Sequence, residues 1–130
     1  NKNLIKKILK LFNNKKIRTS LFINPSLEDI KIAKNIGADC IEIHTGKFAN
    51  LIKSKKNYSK ELAKIKKCSK FAVLLGLEVH AGHGLDFKST KILSKITEIK
   101  EFNIGHFIIG ESIFFGLDKI IRKFKKILKQ

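Results

Sequence analysis

Apolar positions along the chain change their spacing from one segment to the next. Leu4, Ile5, Ile8, Leu9, Leu11 and Phe12 recur at helical spacing with Lys between them. This predicts an opening helix, stopped at Asn13 and Asn14. Ile17 to Ile23 reads as a strand that Asn24-Pro25 breaks. Ser26 then caps a helix, with Asp29 three residues on to complete a capping box. That helix runs through Ile30 and Ala33 to Gly37, a C′ glycine. Asp39 to His44 is the next strand, and a loop with Gly46 follows. A Lys-rich helix from about Ser59 turns Leu62, Ile65, Ala72 and Leu75 inward and ends at Gly76. Leu77 to Val79 opens a third strand that runs into Ala81-Gly82-His83-Gly84. A short helix is expected over about 89–96 and a fourth strand over about 102–104. Beyond Gly105-His106 the pattern is helical, in one piece to about Phe115 and another from Leu117 to Leu128.

The order is therefore a helix followed by strand–helix units, which argues for a parallel sheet covered by helices. Two α/β architectures fit: a small open sheet, or part of a (β/α)8 barrel. The four units found are half of the eight strands a TIM barrel needs. A half barrel has two open sheet edges and an uncovered inner face, so it calls for a partner half. The length, 130 residues, is that of one domain, and no linker or low-complexity tract divides 1–130. No apolar run approaches the ~20 residues of a membrane-spanning helix. The chain lacks Met even at position 1, and Lys interrupts the apolar residues of its first segment as in no signal peptide. The expectation is a chain that begins inside a longer protein.

Charge adds less than its size suggests. Lys and Arg number 28 against 11 Asp and Glu, for a net charge of +17. The basic residues concentrate in 1–18, 52–70 and 119–130, which could suit nucleic acid. All but Arg18 and Arg122 are Lys, whereas base and phosphate recognition leans on Arg forks. Tyr58 is the only Tyr and Trp is absent, so stacking platforms are scarce. Solvated helix faces account for the Lys better than specific nucleic-acid binding does. Cys40 and Cys68 make neither a disulfide framework nor a Cys-based zinc site. They read as small apolar fillers in a reducing, cytoplasmic setting.

Three constellations could carry chemistry. In Cys40-Ile41-Glu42-Ile43-His44, alternation puts Ile41 and Ile43 on one face and Glu42 on the other. A carboxylate inside a barrel needs either a partner or a task, and a structural ion pair is as good a reading as a functional one. In His80-Ala81-Gly82-His83-Gly84, His83 stands at a strand's C-terminal end, where barrel active sites lie. Imidazole suits proton transfer near neutral pH; a hydrogen-bonded loop histidine is the simpler alternative. His80 and His83 together make weak metal ligands, with no third ligand nearby in sequence. In Asn103-Ile104-Gly105-His106, a strand ends and a helix begins, and free N–H groups at a helix start bind phosphate. Gly84 and Gly105 follow consecutive strands, where barrels often place a phosphate site. A plain helix-start glycine with a capping His106 is the alternative. No GxGxxG or GxxxxGK[ST] supports a nucleotide fingerprint.

Taken together, Ser20-Leu21-Phe22-Ile23, the run Ile41 to Gly46 (IEIHTG), Ala81 to Leu85 (AGHGL), Asn103 to His106 (NIGH) and Ile108-Ile109-Gly110 resemble the pyridoxine 5′-phosphate synthase family. The resemblance runs from about Arg18 to the C-terminus and corresponds to the C-terminal half of that family's chain. It implies a (β/α)8 barrel in a homo-octamer that acts in the cytoplasm without metal or cofactor. The reaction implied condenses 1-deoxy-D-xylulose 5-phosphate with 3-amino-2-oxopropyl phosphate to pyridoxine 5′-phosphate, phosphate and water. By resemblance His83 is the general acid and Glu42 the carboxylate that stabilises charged intermediates. Gly84 contacts the amino-ketone phosphate, and Gly105 and His106 bind its phosphate. The general bases, a His and a Glu, and the ligands of deoxyxylulose phosphate belong to the other half. His80 stands where some members carry Asn.

Overall fold

The computed structural model describes residues 2–129. Helix α1 (Lys2–Asn14) precedes four strands: β1 (Ser20–Ile23), β2 (Cys40–His44), β3 (Glu78–Gly82) and β4 (Ile99–Asn103). They form one parallel sheet in the order β1-β2-β3-β4. Helix α2 (Leu27–Asn35) joins β1 to β2, and α3 (Gly46–Lys53) with α4 (Ser59–Leu74) joins β2 to β3. Helix α5 (Phe87–Leu93) joins β3 to β4, and α6 (His106–Phe115) and α7 (Leu117–Leu128) close the chain. Four parallel strands joined through helices make an α/β sheet with half the strands of a (β/α)8 barrel.

Alternation along the strands divides the molecule into two environments. Ile41, Ile43, Val79 and Ala81 are fully buried beneath the helices, with Ile30, Ile65, Ala72 and Leu93. The opposite, inner face is polar. There Glu42 pairs in register with His80, and His80 with Glu101. Such a face suits a barrel lumen and not a second helix layer.

Several elements differ from the sequence expectation. The first strand starts at Ser20, and Ile17 lies outside it, half exposed. The capping box expected at Ser26 forms on one side only. Its hydroxyl accepts from the Asp29 N–H, while the Ser26 N–H donates to the Asn24 carbonyl. The complete box belongs to α5, where Asp86 and Ser89 cap each other, so that helix starts at Phe87. The fourth strand starts at Ile99 and is irregular opposite Val79/His80. The segment after Gly46, expected as a loop, is helix α3. It buries Phe48, Ala49 and Ile52, and burying the Phe48 side chain contributes roughly 1.5–3 kcal/mol.

Among the described residues, the sheet edges at β1 and β4 have no further strand. Beside β1, α1 buries only Leu9 and exposes Leu4, Ile8, Leu11 and Phe12. On α6, Ile109, Ile113 and Phe114 are exposed at 62–79%. Apolar surface of this extent drives association. The chain alone is therefore expected to sediment as a dimer or larger at tens of micromolar. A single species of 14.8 kDa would contradict this. No helix among the described residues is long and apolar enough to cross a membrane.

Candidate active site at the C-terminal strand ends

Strands β2, β3 and β4 end together, and their last residues bring the predicted groups to one side of the sheet. Glu42 points from β2 onto the inner face. Asn103 of β4 donates from Nδ2 to Glu42 Oε2 at 2.8 Å, across the β3 residue Gly82. A Cβ on Gly82 would lie 2.0 Å from Glu42 Oε1. The glycine thus leaves the volume that the carboxylate occupies. The structural ion pair considered for Glu42 is not found. Among the described residues, the Lys and Arg ion pairs are Arg18–Glu78, Lys47–Glu61 and Arg122–Asp118.

His83 follows β3 directly and is exposed, with φ +81°. Its ring stacks on His44 of β2 with centroids 4.6 Å apart, and Phe22 of β1 tilts against both. The backbone turn beneath it is held by Thr45, which is fully buried. Thr45 Oγ1 lies 2.7 Å from the Gly82 carbonyl and 2.9 Å from that of His83. The proton-transfer candidate is therefore open to solvent on a fixed base.

A cleft of about 510 Å³ opens beside His83, lined by Lys53, Gly84, Asn103, Gly105 and His106 among others. Its floor is the start of α6. That helix has Gly105 as N-cap, no side-chain cap and no acidic residue in its first turn. Its first N–H groups have no partner within the helix, and the residues that carry them, with the positive end of the helix dipole, line the cleft. The capping role considered for His106 is not formed. Gly84 has φ +75° and approaches Ala49 of α3. Ala49 and Lys53 are one helical turn apart, so Lys53 overhangs the same cleft.

His80 turns away from this group. Its Nε2 lies 2.9 Å from Glu78 Oε1 and its Nδ1 3.7 Å from Glu101 Oε1. The hydrogen bond from His80, then that from Arg18, holds the Glu78 carboxyl below the usual carboxylate range. His80 and His83 thus do not share a metal site. Sγ of Cys40 does fall within 4.8 Å of ligand atoms of Glu78 and His80. The Arg18 guanidinium pairs with Glu78 there, which sets a fixed cation against any metal. Cys40 and Cys68 are free and buried, and burial pushes both thiols up, as expected of fillers.

Sequence reasoning missed three contributors: Lys53, Thr45 and Asn103. Lys53 had no signal while its segment read as a loop. Thr45 and Asn103 lay inside quoted motifs, but their partners are 37 to 61 residues away in sequence.

A parallel sheet with helices over one face and a polar inner face on the other is that of the (β/α)8-barrel class. Residues 1–130 match the family profile of pyridoxal phosphate biosynthesis protein PdxJ, and the chain belongs to that family, one of vitamin B6 biosynthesis. It is 66% identical over 127 residues to the pyridoxine 5′-phosphate synthase of Pelagibacter ubique, covering 98% of this chain and 53% of that protein. The synthase of Sulfurihydrogenibium sp. is 45% identical over 124 residues, covering 95% of this chain and 50% of the relative. That of Blochmanniella floridana is 42% identical over 114 residues, with 88% and 46% covered. The chain spans about half the length of the curated relatives it matches.

Proposed function

We propose that residues 1–130 form the C-terminal half of a single barrel domain that makes pyridoxine 5′-phosphate. The substrates in this reading are 3-amino-2-oxopropyl phosphate and 1-deoxy-D-xylulose 5-phosphate. The observation that carries it is the convergence of His83, Glu42 and the α6 start on one side of consecutive strand ends. The amino-ketone phosphate lies with its phosphate against the N–H groups of Gly105 and His106, beside Gly84, and Lys53 supplies a counter-charge. His83 protonates the oxygen that leaves when phosphate or water is expelled. Glu42, oriented by Asn103, stabilises the cationic intermediates formed as nitrogen condenses with a carbonyl. No cofactor enters this chemistry. The general bases come from the other half, so the chain alone is inactive. Assembly into a homo-octamer in the cytoplasm belongs to the same reading.

The test is reconstitution. The chain is combined with the remaining half of the Pelagibacter ubique relative and given both substrates. Formation of pyridoxine 5′-phosphate with release of inorganic phosphate is expected. A well-folded complex that makes neither overturns the reading.

The phosphate site makes its own prediction. A Cβ on Gly105 meets nothing within 4 Å, so Gly105→Asp folds normally. It places an anion at the helix start and should weaken inorganic phosphate binding roughly tenfold or more. Lys53→Ala, at an exposed cation, should cost only about threefold. Phosphate titration followed at the His106 ring resonances checks both. Unchanged affinity in Gly105→Asp would move the phosphate elsewhere.

A further inference from the structure

We infer that Thr45 is the positioning residue for His83, fixing the backbone conformation that presents the imidazole. The inference rests on His83 acting as the proton donor of the proposed reaction.

Thr45 occupies the N-cap position of α3, where a Thr hydroxyl ordinarily accepts from a first-turn N–H. Here it makes no such bond. The hydroxyl points instead to the end of β3, where its one proton is shared between the carbonyls of Gly82 and His83. The Thr45 N–H also donates to the Gly82 carbonyl, at 2.9 Å. The Gly82 carbonyl belongs to the peptide plane before the His83 Cα, and the His83 carbonyl to the plane after it. A residue has two soft backbone dihedrals, one toward each of these planes. One buried side chain therefore restrains both dihedrals of His83.

The restraint has a purpose, because His83 is held where histidine does not settle by itself. Its φ of +81° is left-handed, a conformation that costs a side-chain-bearing residue of order 1–3 kcal/mol. Such a conformation persists only where the surroundings over-determine it. The second restraint is the stack on His44, the neighbour of Thr45 in sequence. Gly46, the next residue, leaves room for that stack. A Cβ there would come within 2.8 Å of both imidazole rings. His44, Thr45 and Gly46 thus form one cradle, of which Thr45 holds the backbone.

The decisive variants are Thr45→Val, which keeps the shape and removes the hydroxyl, and Thr45→Ser, which keeps the hydroxyl. In the chain itself, NMR should show the His83 ring protons shifted upfield by the His44 ring. That shift should collapse in Thr45→Val and persist in Thr45→Ser. In the reconstituted barrel, Thr45→Val should lower kcat about 10- to 30-fold with KM nearly unchanged, and Thr45→Ser should restore it to within about threefold. Equal ring shifts and equal turnover in all three proteins overturn the inference. If the barrel makes no product at all, the synthase reading fails, while the ring shift still decides the role of Thr45. Should Thr45→Val not fold, the parent answers instead. Its Thr45 hydroxyl proton should exchange slowly with water, and a freely exchanging one overturns the inference.

Discussion

Replacing His83 by Asn in the reconstituted barrel should lower kcat by about 10²- to 10⁴-fold, the range for loss of a positioned general acid. Asn is chosen because its short side chain tolerates a left-handed backbone better than other residues do. The turn held by Thr45 should therefore survive, and the change isolates the missing proton. Phosphate affinity should be unaltered, since the α6 start is a separate element. His83→Gly sharpens the test. Glycine adopts φ +81° without strain, so this variant should be more stable than the parent by about 1 kcal/mol and as inactive as His83→Asn. Thermal unfolding and steady-state turnover on the same samples check the opposed signs. Activity within about threefold of the parent in either variant would remove His83 from proton transfer.

That trade of stability for presentation bears on what the sequence could reveal. The strand–helix rhythm was legible because each strand carries its own hydrophobic alternation and each helix its own stop signal, as at Gly37 and Gly76. The placing of His83, Gly84, Gly105 and His106 at strand ends was legible because each follows an expected strand, and the inward turn of Glu42 because side chains alternate along β2. Helix α3 was lost because Gly46 reads as a loop residue. The glycine answers to the His44 and His83 rings beside it and not to the helix it begins. The apolar spacing of Phe48, Ala49 and Ile52 was the available signal, and eight residues give it little weight. The start of β4 was obscured by Lys100 and Glu101, two exposed charged residues at an irregular pairing with β3. The role of Thr45 had no local signature. As an N-cap it looks ordinary, and only the fold shows that its hydroxyl is spent on another strand. The inner polar face has a comparable lesson. A carboxylate in a barrel can be held by a neutral amide, as Asn103 holds Glu42, without a matching Lys or Arg.

Gly82→Ala should separate the placing of Glu42 from its chemistry. The added Cβ would overlap Glu42 Oε1 at 2.0 Å and Cδ at 2.9 Å, and would press Asn103 Cβ at 3.1 Å. The first two atoms end a flexible side chain, so the carboxylate can swing aside. The strand itself need not move, and Ala is otherwise acceptable in a strand. The stability cost should therefore stay near 1–2 kcal/mol, well below that of a failed core packing. The functional cost should be larger. Displacement breaks the Asn103 bond and carries the charge away from where cationic intermediates form. The loss of one preorganised electrostatic group costs about 10²–10³ in kcat. Glu42→Gln removes the same charge without moving the side chain, so the two single variants should fall to similar rates. If both act through the same carboxylate, the double variant should be no slower than the slower single one, because neighbouring groups that work as a unit are not additive. Multiplicative losses in the double variant would show that Gly82 serves something other than Glu42. A Gly82→Ala barrel with full activity would show that the carboxylate is not needed at the position it holds here.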